Sequence, residues 1–183
     1  GKTIQGLIQE KISQFLKEKI TLVGSGRTDT GVHAIEQSAH FDCENRIDNS
    51  GKFLKSINHF LKNTDIVILL IKRKKKNFHA RFSAKMRIYR YIIINRISGP
   101  VLEKNRGWHI IKKLDINMIK KGARKLIGTK DFSTFRASSC RAKSPIKTMK
   151  SVKVNYSDNK IIIEFKSCLL YTSDAADEVG CLK

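Results

Sequence analysis

Acidic side chains are what this sequence has least of for its size. Its 183 residues carry 16 Asp+Glu against 37 Lys+Arg, so the formal net charge is 37 − 16 = +21 at pH 7. An excess of this kind speaks to partners rather than to fold, and it points to a polyanion, nucleic acid ahead of membrane. Long apolar runs are missing too. None approaches the ~20 residues that a membrane-crossing helix needs, and no amino-terminal signal pattern appears. A cytoplasmic protein with no membrane partner is therefore expected. Cys43, Cys140, Cys168 and Cys181 form no C-x-x-C and no Cys/His group with zinc spacing. Free thiols in a reducing compartment, with no metal site, are the reading. His40, His59, His79 and His109 likewise show no ligand-like spacing.

Hydrophobic residues make up 40% of the chain, enough for a packed core. The length suits one large domain or two small ones. Over residues 3–18, Ile4, Leu7, Ile8, Ile12, Phe15 and Leu16 follow the spacing of one buried helical stripe, with Thr3 as N-cap. Residues 20–23 form a short apolar strand, and residues 38–43 another. Residues 51–61 give a second helix with Phe53, Leu54, Ile57, Phe60 and Leu61 on its apolar face. Residues 66–71 are a continuously apolar strand. Five adjacent cations follow, Lys72 to Lys76; they resist burial and mark a domain boundary, a solvated linker that also suits a phosphate-contacting rim.

Beyond it, residues 86–95 alternate, with Arg87, Tyr89, Tyr91 and Ile93 on one face and Ile88, Arg90, Ile92 and Ile94 on the other. Residues 114–127 form a helix capped by Asp115 and ended by Gly128. Residues 148–156 and 160–165 are strands about the turn Ser157-Asp158-Asn159. The fold class expected is α+β, two α+β units built on antiparallel sheets.

The segment from Gly24 to Ala34, which includes Gly26-Arg27-Thr28-Asp29-Thr30-Gly31-Val32-His33-Ala34, carries the chemistry. It is not a phosphate loop: no Lys-Ser or Lys-Thr follows, and Asp29 would repel a pyrophosphate. Glycine-bounded turns at strand ends hold side chains where a substrate reaches them. A neighbouring guanidinium favours an ionised carboxylate, which suits a nucleophile or base rather than a proton donor. Asp29 could equally be a turn former. His33 is expected to be packed and hydrogen-bonded rather than a proton shuttle.

These nine residues resemble the signature of the TruA family of tRNA pseudouridine synthases, G-R-T-D-[AS]-G-V-H-[AG], with Thr30 the one departure. The resemblance extends in order over about residues 3–166. Thr3-Ile4-Gln5-Gly6 is similar to the family's T-[VI]-Q-G. Phe78-His79-Ala80-Arg81-Phe82-Ser83-Ala84 matches F-[HN]-A-R-F-S-A, and Tyr89-Arg90-Tyr91 follows it as Y-R-Y. Asp131-Phe132-Ser133-Thr134-Phe135-Arg136 looks like D-F-[ST]-[ST]-F-[RC], and Cys140 and Pro145 also fall at familiar places.

The resemblance implies a pseudouridine-synthase-type cleft between the two units. It implies an isomerase converting uridine to pseudouridine at nucleotides 38, 39 and 40 of the tRNA anticodon arm, without cofactor or metal, as a homodimer. It makes Asp29 the catalyst, Arg27 its orienting partner and a holder of the flipped nucleotide, and Tyr89 the residue that stacks on uracil. Arg81 is a candidate substrate contact, to phosphate, or else a salt-bridge anchor. Tyr91 is a core or rim residue. A non-catalytic RNA-binding module or RNA chaperone is the alternative that charge alone would support.

The same resemblance sets expectations for the ends. Residues 1–74 are the amino-terminal unit with the Asp motif, lacking a first strand and a G-W-x-x-Q segment. Residues 75–167 are a truncated carboxyl-terminal unit, lacking an F-L-x-x-M-[VI]-R helix. Residues 168–183, with three acids and no base over 172–178, are a non-native tail. Little activity is expected of such a chain by itself.

Overall fold

The computed structural model describes residues 3–135 and 144–168. Arg136, Cys140, Cys181 and almost all of the expected tail lie outside them. The chain folds as two units. The first runs to Ser25 and resumes over Glu36–Ser83; the second comprises Gly26–Ile35 and the chain from Ala84.

In the first unit, α1 (Ile4–Leu16) begins at Thr3, whose Oγ1 accepts the Gly6 N–H at 3.0 Å, and stops at Lys17, which takes a left-handed φ of 55°. α2 (Ser50–Phe60) begins at Asn49, whose side chain accepts the Lys52 N–H. Ile12 of α1 and Phe53, Ile57 and Leu61 at α2 meet Ile20 and Leu22 in one buried core. Leu7, Ile8 and Leu16 pack against it. Ile4, Phe15 and Phe60 remain exposed, although the Phe15 ring sits edge-on to Phe53 at 5.2 Å.

The strands of this unit are shorter than the apolar pattern suggests. Among its described residues only Val23–Gly24 (β1) and Ala39–His40 (β2) pair, antiparallel. The polar groups of residues 20–22 go instead to α1. Ser13 Oγ accepts the Ile20 N–H, Gln9 Oε1 accepts the Leu22 N–H, and Gln5 Nε2 donates to the Leu22 carbonyl at 2.6 Å. Gln5, Gln9 and Ser13 stand four residues apart, so they form one polar row along the helix. Residues 66–71 take no regular secondary structure and pair with no strand among the described residues. Asn58 of α2 serves both polar groups of Ile68. Buried backbone groups need partners, and side chains supply them here.

The second unit holds a five-stranded sheet in the order β4-β3-β7-β6-β5. Its strands are β3 (Met86–Asn95), β4 (Trp108–Ile110), β5 (Gly128–Asp131), β6 (Ile146–Ser157) and β7 (Lys160–Cys168). The expectation of antiparallel sheets holds for every pair but one: β3 and β4 run parallel, Ile93 opposite Trp108. The chain returns over residues 96–107 to the same end of β3, which a parallel pair requires. Asn95 fixes that return. Its Nδ2 donates to the Ile110 and Lys112 carbonyls, and its Oδ1 accepts the Leu114 N–H.

β6 and β7 meet in a two-residue hairpin, Asp158 and Asn159, with φ of 52° and 61°. Positive φ at both positions matches the twist of the flanking strands, and Asp and Asn tolerate it. α3 (Ile116–Lys125) starts at Asp115, which accepts the Asn117 and Met118 N–H groups. Ala123 of α3 joins Phe132, Met149 and Val152 in the buried core of this unit, with Leu126, Val154, Ile163 and Phe165 packed around it.

The division at Ser83/Ala84 lies beyond the boundary expected after residue 74. The turn after the lysine run explains the difference. Ala80 is 2% exposed, and its N–H donates to His40 Nδ1 at 3.2 Å. Residues 78–83 are thus tied to the first unit, and the cations of Lys72 to Lys76 are an exposed stretch within it.

Candidate functional site

The segment that begins at Gly26 leaves the first unit at the end of β1. Its base is fixed by the β1–β2 pair and by the Ser25 N–H, which donates to the Ser38 carbonyl at 2.8 Å. Four residues on comes a tight turn: the Val32 N–H donates to the Asp29 carbonyl at 3.2 Å. Gly31, third residue of that turn, has φ +87°. A positive φ at this position is the type II requirement, which glycine meets without strain. Asp29 therefore opens a turn whose geometry Gly31 permits, and its side chain is exposed, as are those of Arg27 and Thr28.

Arg27 and Asp29 lie close in sequence, yet no ion pair joins them among the described residues. His33, expected to be packed, is exposed.

The second unit brings a different arginine to the start of this segment. A β-carbon placed on Gly26 would lie 3.4 Å from an Nη of Arg87 and 3.5 Å from its Cζ. The Arg87 guanidinium thus lies within van der Waals reach of where a side chain at Gly26 would begin. Arg87 shares a face of β3 with Tyr89, two residues along, and Tyr91, a further two. Tyr89 is half-buried and stands opposite Phe165 of β7. Tyr91 lies at the rim, 47% exposed, its ring edge-on to Phe165 at 5.7 Å. The sequence alone gives Arg87 no role. The signal available was its place in the alternation Arg87-x-Tyr89, on the face of the candidate tyrosine.

Arg81 belongs to the first unit. It is half-buried, and its Nε is buried with no hydrogen-bond partner among the described residues. No ion pair of Arg81 is found among the described residues. Among the described residues no group of three His, Cys, Asp or Glu side chains could hold a metal ion. Among the same residues no helix is long and apolar enough to cross a membrane.

The second unit offers an exposed carboxylate on a turn, an aromatic face on β3, and guanidinium groups at Arg27 and Arg87. Such groups suit a base taken out of its stack, with phosphates held by cations.

Comparison with known proteins converges on one group. The profile of a family described as tRNA pseudouridine synthase matches residues 123–168. The whole chain is 64% identical to "tRNA pseudouridine synthase A" of Pelagibacter ubique (strain HTCC1062), covering 74% of that protein. Identity is 39% to the protein of the same name from Ehrlichia canis (strain Jake) and 38% to that of Wolbachia pipientis wMel, each over 182 residues and 74% of the relative.

Proposed function

The chain belongs to the tRNA pseudouridine synthase A family, the TruA family, and we propose from that premise that Asp29 is the catalyst of uridine isomerisation in the anticodon arm of tRNA, at nucleotides 38, 39 and 40. The protein is an isomerase that acts on tRNA and forms pseudouridine. The reaction breaks the N1–C1′ glycosidic bond, turns the uracil and joins C5 to C1′; the proton on C5 is released and N1 gains one. Nothing is oxidised or reduced, so the enzyme's work is to extrude the base, hold it while detached, and assist the glycosidic bond change.

The observation that carries the reading is the exposed Asp29 at the head of the Gly31 turn. An ionised carboxylate there can attack the sugar or base, or remove a sugar proton. Tyr89 offers a ring for the detached uracil, and Arg27 and Arg81 hold the RNA. The +21 net charge supports backbone-directed binding of a structured RNA. A homodimer with one tRNA across both subunits completes the proposal.

The test is tritium release from C5-labelled uridine in tRNA. Asp29→Ala and Asp29→Asn abolish release while tRNA binding persists. Release at the unsubstituted rate by either variant removes Asp29 from the catalytic role. Mapping pseudouridine at nucleotides 38, 39 and 40 decides the positions.

A further inference from the structure

The turn that carries Arg81 is held by two histidine rings that the reaction does not use. The Ser83 N–H donates to the His79 carbonyl at 2.7 Å, and the His79 N–H to Ser83 Oγ at 3.1 Å. Within this closed turn, the Ala80 N–H donates to His40 Nδ1 and the Arg81 N–H to His79 Nδ1, both at 3.2 Å. His40 comes from β2, 40 residues before Ala80, so the turn is pinned to a distant strand. The two imidazoles lie 4.6 Å apart, and Phe82 packs on His79 at 4.3 Å. A ring nitrogen that accepts from a backbone N–H carries no proton, so each ring is assigned as neutral with its proton on Nε2. The bonds fix the backbone on both sides of the Arg81 Cα. What they position is a guanidinium whose buried Nε–H meets no acceptor among the described residues. The Nε–H is sealed from solvent, but Arg81 as a residue is only half-buried, and a guanidinium pairs well with phosphate oxygens.

We propose that residues 78–83 form a phosphodiester-binding subsite for the RNA, in which the Arg81 guanidinium pairs with a phosphate and His40 and His79 are positioning residues. The inference rests on the reading of Arg81 as a substrate-binding residue. It assigns the histidines a role through their Nδ1 atoms, not through charge.

Binding of the 183-residue chain to tRNA, followed by fluorescence anisotropy over a range of salt, tests it. Loss of one phosphate contact lowers the slope of log K against log salt by about 0.7 to 0.9. Arg81→Ala is expected to do so. His40→Ala and His79→Ala are expected to do the same in the presence of Arg81 and to add nothing to Arg81→Ala. His40→Asn, which keeps an acceptor near the Nδ1 position, retains the slope, and His40→Gln does not. ¹⁵N NMR of the unsubstituted chain shows Nδ1 of His40 and His79 unprotonated. An unchanged slope in Arg81→Ala, or salt-independent binding by the unsubstituted chain, overturns the reading of Arg81 and the subsite with it. A lowered slope in Arg81→Ala with unchanged slopes in both His→Ala variants overturns the positioning role alone. Should the alanine variants unfold by circular dichroism, equal behaviour of His40→Asn and His40→Gln overturns it instead.

Discussion

Replacing Asn58 by Ala removes what a neighbouring strand would otherwise provide. Asn58 Nδ2 donates to the Ile68 carbonyl at 2.9 Å, and its Oδ1 accepts the Ile68 N–H at 2.7 Å. Both residues are half-buried, so water reaches part of what truncation exposes. Two hydrogen bonds at about 1 kcal/mol each give a loss of about 2 kcal/mol. Alanine is the better helix former and returns up to roughly 0.7 kcal/mol within α2. The net expectation is a loss of about 1.5 kcal/mol, read by urea unfolding as a lower midpoint with an unchanged m value. Amide exchange locates the effect: the Ile68 N–H, protected in the unsubstituted chain, becomes fast-exchanging in the variant. A loss below about 0.5 kcal/mol with Ile68 still protected refutes the reasoning, because water would then replace the amide at no cost.

Two further outcomes follow from charge. The Arg90 hydrogen bond to Glu164 at 3.0 Å, helped by the nearby Lys166 charge, holds the Glu164 carboxyl below its ordinary value of 4.5. A lowered folded-state value means that the stabilisation is present above pH 4.5 and is lost as pH falls through the lowered value. Glu164→Gln should be less stable than the unsubstituted chain at neutral pH and equal to it in strong acid; a gap that persists in acid rules this cause out. Cys43 is an exposed residue, yet partial desolvation of its sulfur, with Glu18 and Asp42 nearby, pushes its thiol above 9.0. Alkylation at about pH 8 should therefore be slower than that of a free cysteine and faster in Glu18→Gln, because the thiolate is the reactive form. Equal rates in the two proteins would exclude the Glu18 contribution.

What the sequence disclosed and what it withheld divide along physical lines. Helices announce themselves by spacing and caps, and Thr3 and Asp115 cap α1 and α3 as expected. The Arg87-Tyr89-Tyr91 face of β3 was legible because alternation fixes faces. Pairing was not. The apolar residues 20–22 and 66–71 announce extended chain, but hydrophobicity does not say what the backbone bonds to, and the partners proved to be Gln5, Gln9, Ser13 and Asn58. The parallel β3–β4 pair was hidden for the same reason, since a three-residue strand after an irregular stretch carries little periodicity. At the site, Asp29 was legible through its motif. The approach of Arg87 to Gly26 was not, because it joins residues distant in the chain.

That approach bears on how Asp29 is held. The chain departs from β1 at Ser25 and returns before β2, so the β1–β2 pair and the Ser25–Ser38 bond set the two ends of the segment. Arg87 lies beside the segment at Gly26, and the Gly31 turn sets its tip. The carboxylate itself gains no ion pair with Arg27 among the described residues, so its position comes from backbone geometry rather than from a charge partner. A carboxylate placed by backbone keeps its acceptor oxygens open, and an incoming ligand then need not break an existing pair first. Placement by geometry also explains the glycine at position 31. Gly31 supplies a conformation that a β-carbon would strain, while at Gly26 a β-carbon would only meet Arg87 at ordinary contact distance.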